Sequence, residues 1–374
     1  MKPLAIYVHI PFCVRKCAYC DFASFAGRED LWKDYFSALD GEMDAWADPL
    51  RAYEARSVFF GGGTPSLVCA EYIAGALEHL RRLLPLSQDC EISLEANPGT
   101  LTAEKLEIYR RAGVNRLSIG VQSFDAALLK SLGRIHTPEE AAHAVLLARA
   151  AGFENVSIDL MYGLPGQRMA QWAATLERAV ALPVTHISAY SLIVEEGTEM
   201  FARVRSGRAH VPEDDLVNEM QRLAVCRLAE VGFSRYEISN FARPGYACRH
   251  NLTYWKGGEY LGLGSAAHSL MDNARFSNPP ELERYLNGER MLNRVERSRA
   301  DRREEALMLA TRTMEGLNLK RWQNEFGDAL EETRVREIEK MRTYGLIEIV
   351  DGFLRLTPAG LELQDSVVLG LMDD

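Results

Sequence analysis

Three of the chain's seven cysteines lie within eight residues near the N-terminus, at Cys13, Cys17 and Cys20. Thiolates this close together in a short loop select zinc or an iron–sulfur cluster rather than a hard cation. A structural zinc site takes four protein ligands, and no fourth Cys or His follows at the spacing of a zinc finger. The pattern favours a four-iron cluster that is held by three thiolates and keeps one iron open. Two alternatives stay open: a disulfide with a spare thiol, and a zinc site completed by Cys248 or His250.

Short apolar segments alternate with amphipathic helical segments over the first half of the chain. This alternation is typical of parallel βαβ units. It predicts an α/β fold in which the sheet curls into an open (β/α)6 partial TIM-like barrel. The six predicted strands are Leu4–Ile10, Ser57–Phe60, Cys90–Ala96, Arg116–Gln122, Val156–Met161 and His186–Ile193.

The remainder of the chain is predicted to form two further segments after a core of residues 1–236. Residues 237–297 are rich in Gly, His and aromatic residues without a clear period, so an irregular extension is expected. Residues 298–374 are predicted to form three helices and a hairpin around Asp351-Gly352, which is a strong turn signal. This order resembles a winged helix, so a helical, winged-helix-like C-terminal domain is expected.

Chemically distinctive residues follow the ends of successive predicted strands. Active sites of barrels lie at the carboxyl ends of the strands, so these residues are expected to meet. Simpler explanations exist for these residues: the glycines could form a tight turn, and the charged side chains could lie at solvated ends of strands or helices. The residues are the cysteine loop after the first strand, Gly61-Gly62-Gly63-Thr64-Pro65 after the second, Glu95 on the third, Gln122 on the fourth, Arg134 in the loop after it and Asp159 on the fifth.

Charge and hydropathy restrict the class of protein further. The formal net charge is −10, which disfavours nucleic acid as a partner because phosphate contacts supply most of that affinity. No apolar run approaches the ~18 residues that span a bilayer, and the N-terminus lacks the features of a signal peptide. Since the three loop cysteines must stay reduced to hold a cluster, a cytoplasmic location is expected.

The cysteine spacing, with Tyr19 before the last cysteine, resembles the signature of the radical S-adenosylmethionine (SAM) superfamily. Five further stretches are similar to the oxygen-independent coproporphyrinogen III oxidase family. They are Ile6-Tyr-Val-His-Ile-Pro-Phe-Cys13, Glu95-Ala-Asn-Pro-Gly99, Ser118-Ile-Gly-Val-Gln-Ser-Phe124, Leu132-Gly-Arg-Ile-His136 and Asp159-Leu-Met-Tyr-Gly-Leu-Pro-Gly166.

The resemblance implies a barrel of the radical SAM type and assigns roles to individual residues. Cys13, Cys17 and Cys20 would bind a [4Fe–4S] cluster. Tyr7, Tyr19, Gly62, Gly63, Thr64 and Glu95 would lie at the cluster-bound SAM. Gln122, Arg134 and Asp159 would contact the second SAM that the oxidase binds.

Two departures from the oxidase instead resemble its paralogues, the HemW-type haem chaperones. The first strand begins at residue 4 without a long preceding segment, and Phe22 stands where the oxidase has a further cysteine. The H-N-x-x-Y-W motif of the chaperones is present as His250, Asn251, Tyr254 and Trp255. The resemblance implies that His250 is an axial ligand of haem iron, a role that imidazole fills well.

The predicted function is therefore a haem-binding chaperone that carries haem to target proteins, membrane-bound respiratory enzymes among them. The alternative is an oxygen-independent coproporphyrinogen III dehydrogenase, and no catalytic residue is assigned. A rival from another class is an electron-transfer or structural cluster protein, which would not need polar residues at successive strand ends. The oligomeric state, docking on membranes, cleavage of SAM and the number of SAM molecules bound stay open.

Overall fold

The computed structural model describes residues 1–372. Residues 373 and 374, the end of the predicted C-terminal domain, lie outside the described residues. The strands are β1 Lys2–Ile10, β2 Phe12–Cys13, β3 Phe25–Ala26, β4 Tyr53–Gly62, β5 Leu86–Ala96, β6 Arg116–Gln122, β7 Asn155–Tyr162, β8 His186–Ser191, β9 Ser234–Arg235, β10 Asn240–Ala242, β11 Tyr260–Leu263, β12 His268–Met271, β13 Ala274–Ser277, β14 Leu292–Glu296, β15 Leu317–Asn318, β16 Ile347–Val350 and β17 Phe353–Leu356.

Helices follow most of the long strands. Among residues 1–372, none of them is long and apolar enough to cross a bilayer. The helices are α1 Trp32–Ala45, α2 Ala47–Leu50, α3 Ala70–Leu83, α4 Ala103–Ala112, α5 Ala126–Leu132, α6 Pro138–Ala150, α7 Met169–Val180, α8 Glu199–Arg205, α9 Asp214–Glu230, α10 Arg249–Trp255, α11 Leu282–Leu286, α12 Arg299–Ala310, α13 Leu319–Phe326, α14 Leu330–Thr333, α15 Val335–Thr343, α16 Pro358–Glu362 and α17 Gln364–Leu371.

One sheet organises the molecule, and its central part confirms the predicted barrel. Strands β1, β4, β5, β6, β7 and β8 are neighbours in that order and all run parallel. The sheet is open, because β1 and β8 do not pair with each other and each pairs outward with a further strand. The carboxyl ends of the six parallel strands therefore lie at one edge, where the predicted site residues follow them.

Local sequence signals explain where the helices of the barrel begin and end. The side chains of Thr102, Asp125 and Thr137 accept hydrogen bonds from the first turns of α4, α5 and α6. Such caps satisfy backbone N–H groups that have no partner inside the helix. Helices α4 and α5 end at Gly113 and Gly133, which adopt the left-handed conformation that glycine tolerates best.

The extension predicted to be irregular is regular over much of its length, so that prediction is wrong. Residues 237–297 contain α10 and α11, and their strands continue the main sheet on both sides. Strand β10 pairs with β8, while β11 pairs in parallel with β1 and leads into the antiparallel β12, β13 and β14. These elements are only three to seven residues long, too short for a hydrophobic period to be recognised.

The C-terminal segment has a core of its own around the buried Trp322, Phe326 and Leu354. The predicted hairpin is confirmed, since β16 and β17 pair antiparallel across Asp351 and Gly352, both with positive φ. More than the three predicted helices are present, with α14 and α15 following each other closely before the hairpin. Helices α16 and α17 complete this core and were not predicted.

Candidate functional site

A cavity of about 350 Å³ lies at the carboxyl ends of the parallel strands. This volume falls within the range of small-molecule sites, roughly 300–1,000 Å³. The structure brings eleven of the thirteen predicted site residues to its lining. They are Cys13, Cys17, Tyr19, Cys20, Gly62, Gly63, Thr64, Glu95, Gln122, Arg134 and Asp159.

The cysteine loop is held against the barrel through Ala18. Its N–H donates to Leu132 O at 2.9 Å, and its carbonyl accepts from the Met200 N–H at 2.7 Å. Ala18 is buried in a small apolar cluster with both residues. All seven cysteines are free, so the disulfide alternative does not describe this structure.

The loop thiols are half-buried at the cavity wall. Burial raises the pKa of the Cys13 thiol, and it raises the pKa of Cys20 to about 11. Cys13 Sγ lies 3.6 Å from Thr64 Oγ1, and the Arg134 guanidinium donates to Cys17 Sγ at 3.6 Å. The protein therefore offers a hydroxyl and a cation beside these two sulfurs.

The glycine run is required by close packing against the cysteine loop. Gly62 has a φ of +111°, and a Cβ added there would lie 2.5 Å from the His9 ring. A Cβ on Gly63 would lie 2.8 Å from Phe12 O, which is backbone and cannot move aside. Only glycine lets strand β4 end so close to the loop, and the Gly62 N–H then donates to Glu95 Oε2 at 3.1 Å.

Two carboxyl groups share the low-dielectric interior of the cavity. Burial raises the pKa of Glu95 to about 8, with a further rise from the nearby charge of Asp159. Burial also raises the pKa of Asp159, while Arg116 and a hydrogen bond from Ser118 Oγ at 3.1 Å oppose that rise. The cavity thus favours neutral Glu95 at neutral pH.

Arg134 and Gln122 are fixed by hydrogen bonds within the site. The Arg134 guanidinium donates to Asn97 Oδ1 and to Gly120 O, each at 2.5 Å. Gln122 takes a φ of +65° at the end of β6, and its Oε1 accepts from the Tyr190 hydroxyl at 3.0 Å. Both side chains are therefore held in place before any ligand arrives.

Several lining residues were not predicted from the sequence. Phe59 looked like one more apolar residue of a buried strand, although its ring forms part of the wall beside Gly62. Phe22, which was noted only as a replaced cysteine, is 62% exposed at the rim. Other lining residues that sequence reasoning did not assign individually to the site are Arg15, Lys16, Ser24, Ala96, Asn97, Arg116, Ser118, Gly120, Ser188, Tyr190, Ser239, Asn240 and Asn251.

Tyr7 and His250 lie behind the wall rather than on it. Tyr7 packs against the rings of Phe59 and His250, and its hydroxyl forms a hydrogen bond of 3.0 Å with His9 Nδ1. His250 lies on α10 and is only 1% exposed. Its Nδ1 is bonded to Ser57 Oγ at 2.9 Å and its Nε2 to Tyr254 Oη at 2.8 Å.

This placement corrects the expectation that His250 lies in an irregular extension, since it is on a helix and buried. Both nitrogens of His250 are engaged, and burial lowers its pKa to about 3, so the ring is neutral. In this conformation an iron cannot reach it. Cys248 is likewise turned away from the cysteine loop, because its Sγ donates to Glu91 Oε1 at 3.4 Å.

Comparisons with known proteins agree with the fold and with the order of motifs. The radical SAM superfamily profile matches residues 7–179, and the HemN C-terminal domain profile matches residues 298–363. The solved structure of coproporphyrinogen III oxidase (HemN) from Escherichia coli, a radical SAM enzyme, superposes with a TM-score of 0.86. It covers 99% of this chain and 90% of that chain at 23% identity, which supports the fold alone.

Several curated proteins share a higher sequence identity with this chain than that solved structure does. The haem chaperone HemW of Bacillus subtilis is 35% identical over 96% of this chain and 97% of that protein. The haem chaperone HemW of Escherichia coli is 42% identical over 72% of this chain and 70% of its own length. Radical S-adenosyl methionine domain-containing protein 1, mitochondrial, of Mus musculus is 35% identical over 98% of this chain and 87% of its own.

Proposed function

Since this chain belongs to the HemW family within the radical SAM superfamily, we propose that it is a haem chaperone. In this proposal it holds a [4Fe–4S] cluster and SAM and carries haem to other proteins. The observation that carries the proposal is the similarity to curated haem chaperones along nearly the whole chain. The oxidase HemN shares the fold at lower identity, so decarboxylation of coproporphyrinogen is the second candidate.

The three loop thiols fit a polynuclear cluster. Cys13, Cys17 and Cys20 line one cavity, and three thiolates that face a common space suit a cluster in which each thiolate binds a different iron. When bound, such a cluster supplies a low-potential electron and one iron without a protein ligand.

The remaining predicted site residues fit a cationic, polar ligand such as SAM beside the cluster. Gly62 and Gly63 let backbone approach the ligand closely, with Thr64 next to Cys13. Glu95 becomes an acceptor for ribose hydroxyls when it ionises. Tyr19 completes the wall at the cysteine loop, and Tyr7 supports the wall from behind.

Three further residues are proposed to contact SAM or a second copy of it. Gln122, Arg134 and Asp159 line the same cavity on the side of β6 and β7. Arg134 brings the positive charge that a carboxylate of the ligand would need, already oriented by Asn97 and Gly120.

Haem is proposed to bind through His250, which requires α10 to release the imidazole from Ser57 and Tyr254. The proposed setting is the cytoplasm, and the proposed recipients are haem proteins, membrane-bound respiratory enzymes among them. A carrier benefits from a ligand residue that must be released before it binds, because the same step can reverse when haem is handed over.

The experiment that separates the two candidate functions uses anaerobically reconstituted protein. One sample receives haem and is passed through a desalting column. The other receives coproporphyrinogen III with SAM and a reductant. We expect haem to stay with the protein, as seen by its absorption, and no loss of carbon dioxide from coproporphyrinogen by mass spectrometry. Conversion to protoporphyrinogen would establish the oxidase activity instead, and failure to retain haem would contradict the chaperone proposal.

A further inference from the structure

The rings of His250, Phe59 and Tyr7 pack together as one cluster, in which the centroids of His250 and Tyr7 are themselves 6.4 Å apart. The ring centroids of His250 and Phe59 are 5.0 Å apart with planes inclined by 28°. Those of Phe59 and Tyr7 are 6.2 Å apart, inclined by 25°. Tyr7 in turn reaches the cysteine loop, because its hydroxyl bonds to His9 Nδ1 and His9 Nε2 bonds to Ala23 O at 2.9 Å.

The geometry of the sheet puts these rings together. Tyr7 on β1 and Phe59 on β4 are register partners in the parallel pair, so their side chains stand side by side on one face. Ser57 lies two residues before Phe59 and therefore on the same face. His250 rests on both of these β4 residues, with Nδ1 on the Ser57 hydroxyl and its ring on Phe59.

The imidazole is also held firmly from the other side. Tyr254 Oη bonds to Nε2 at 2.8 Å, and its ring meets the imidazole edge-on at 87°. The buried carboxylate of Glu91 accepts from the backbone N–H groups of Arg249 at 3.1 Å and His250 at 3.2 Å. These two hydrogen bonds tie the start of α10 to strand β5 and hold His250 against Phe59 in this conformation.

One ring of this cluster, that of Phe59, forms part of the candidate site. Phe59 lines the cavity together with Gly62, Glu95 and Asn251, the residue after His250. A Cβ on Gly61 would lie 2.9 Å from the Phe59 ring, 3.0 Å from Tyr7 and 3.1 Å from Glu95. Phe59 is therefore packed between His250 and this wall, and its position depends on both.

We propose that His250 is a positioning residue for ligand binding in the cavity: it holds Phe59, and with it Tyr7, in the place that SAM requires. The inference rests on the proposed function, in which this cavity binds SAM. It gives the H-N-x-x-Y-W helix a second role, separate from haem, because the same histidine supports the wall of the SAM site.

The test compares two buried histidines of the same barrel. His186 is the matched control: it is fully buried, with Nδ1 bonded to Ser157 Oγ at 2.7 Å and Nε2 to Tyr236 Oη at 2.8 Å, yet it does not line the cavity or touch Phe59. SAM affinity is measured by calorimetry on reconstituted wild type, His250→Ala and His186→Ala. EPR of the reduced cluster with increasing SAM reports whether SAM reaches the open iron.

We expect His250→Ala to raise the Kd for SAM about tenfold, equivalent to about 1.4 kcal/mol, near the upper value for one aromatic pair. The EPR change should need correspondingly more SAM. His186→Ala should stay within about twofold of wild type. His250→Phe, which restores a ring against Phe59, should regain most of the affinity. His250→Gln, which keeps a polar group without a ring, should not regain the affinity. If His250→Ala does not fold, the comparison of His250→Phe with His250→Gln tests the inference instead.

The inference is overturned if His250→Ala binds SAM as tightly as wild type, or if His186→Ala weakens binding equally. It is also overturned if His250→Gln and His250→Phe behave alike. Wild-type protein that holds the cluster but binds no SAM would contradict the proposed function itself, so the two failures are distinguishable.

Discussion

Replacing Gly62 by alanine perturbs the point where strand β4 meets the cysteine loop. The residue has a φ of +111°, which alanine adopts only with strain. The new methyl group would also lie 2.5 Å from the His9 ring. That ring cannot turn freely, because its nitrogens are bonded to the Tyr7 hydroxyl and to Ala23 O.

The expected loss of unfolding free energy follows from the backbone strain and from the displaced His9 ring. A non-glycine residue held in a sparsely populated backbone region costs about 1–3 kcal/mol. Displacing the His9 ring breaks at least one of its hydrogen bonds, worth about 1 kcal/mol. We therefore expect Gly62→Ala to lower the free energy of unfolding of the barrel by about 2–4 kcal/mol, or to keep the fold and open the wall of the cavity.

The assay combines urea unfolding of the apoprotein with SAM titration of the reconstituted protein. Gly99→Ala is the matched control, because Gly99 follows strand β5 at the same edge of the barrel and a Cβ there meets nothing within 4 Å. Gly62→Ala should lower the urea midpoint, the SAM affinity or both, and Gly99→Ala should change neither. A Gly62→Ala protein that matches Gly99→Ala in both measurements would refute the argument from close packing.

Three further predictions concern the cluster, the carboxyl group and the histidine. Cys17→Ala should bind much less iron than wild type on anaerobic reconstitution. Cys69→Ala, which removes an exposed cysteine, should bind as much iron as wild type. Equal iron contents in the two variants would contradict the cluster assignment. The pKa of Glu95 is raised to about 8, and binding of cationic SAM favours its ionised form, so SAM affinity should rise as the pH increases toward about 8 and level off above it. Glu95→Gln should flatten that dependence, and an unchanged slope would show that another group titrates. If His250 ligates haem, it must leave Phe59. Haem should then weaken SAM binding, and SAM should weaken haem binding by the same factor, which titration of each ligand with and without the other measures. Independent binding of the two ligands would mean that haem takes another ligand residue.

The barrel could be predicted because its signals are local and repeated. The long parallel strands contain runs of apolar residues, and helices follow them along the chain, so the alternation could be recognised without knowing which strands pair. The convergence of the cysteine loop, Gly62, Glu95 and Asp159 then followed from parallel topology alone. Those residues indeed line one cavity.

The parts that were missed depend on contacts between distant segments. Nothing local distinguishes Phe59 from its buried neighbour Phe60, because the difference is which face of β4 meets the cavity. His250 was expected in an irregular extension because its helix is only seven residues long, and its partner Ser57 is 193 positions away in sequence. Strands β11 to β14 are also short; β11 pairs with β1, and β12, β13 and β14 follow it by antiparallel pairing.

Transfer of haem to an acceptor tests the central claim most directly. Haem-loaded, reconstituted protein is mixed with the apo form of a b-type cytochrome domain, and the absorption of the newly formed cytochrome is followed over time. If the protein is a haem chaperone, the transfer rate should increase with acceptor concentration, because the two proteins must meet for haem to pass between them. A rate that does not depend on acceptor concentration and equals spontaneous haem loss, or haem that stays on the protein, would contradict the account.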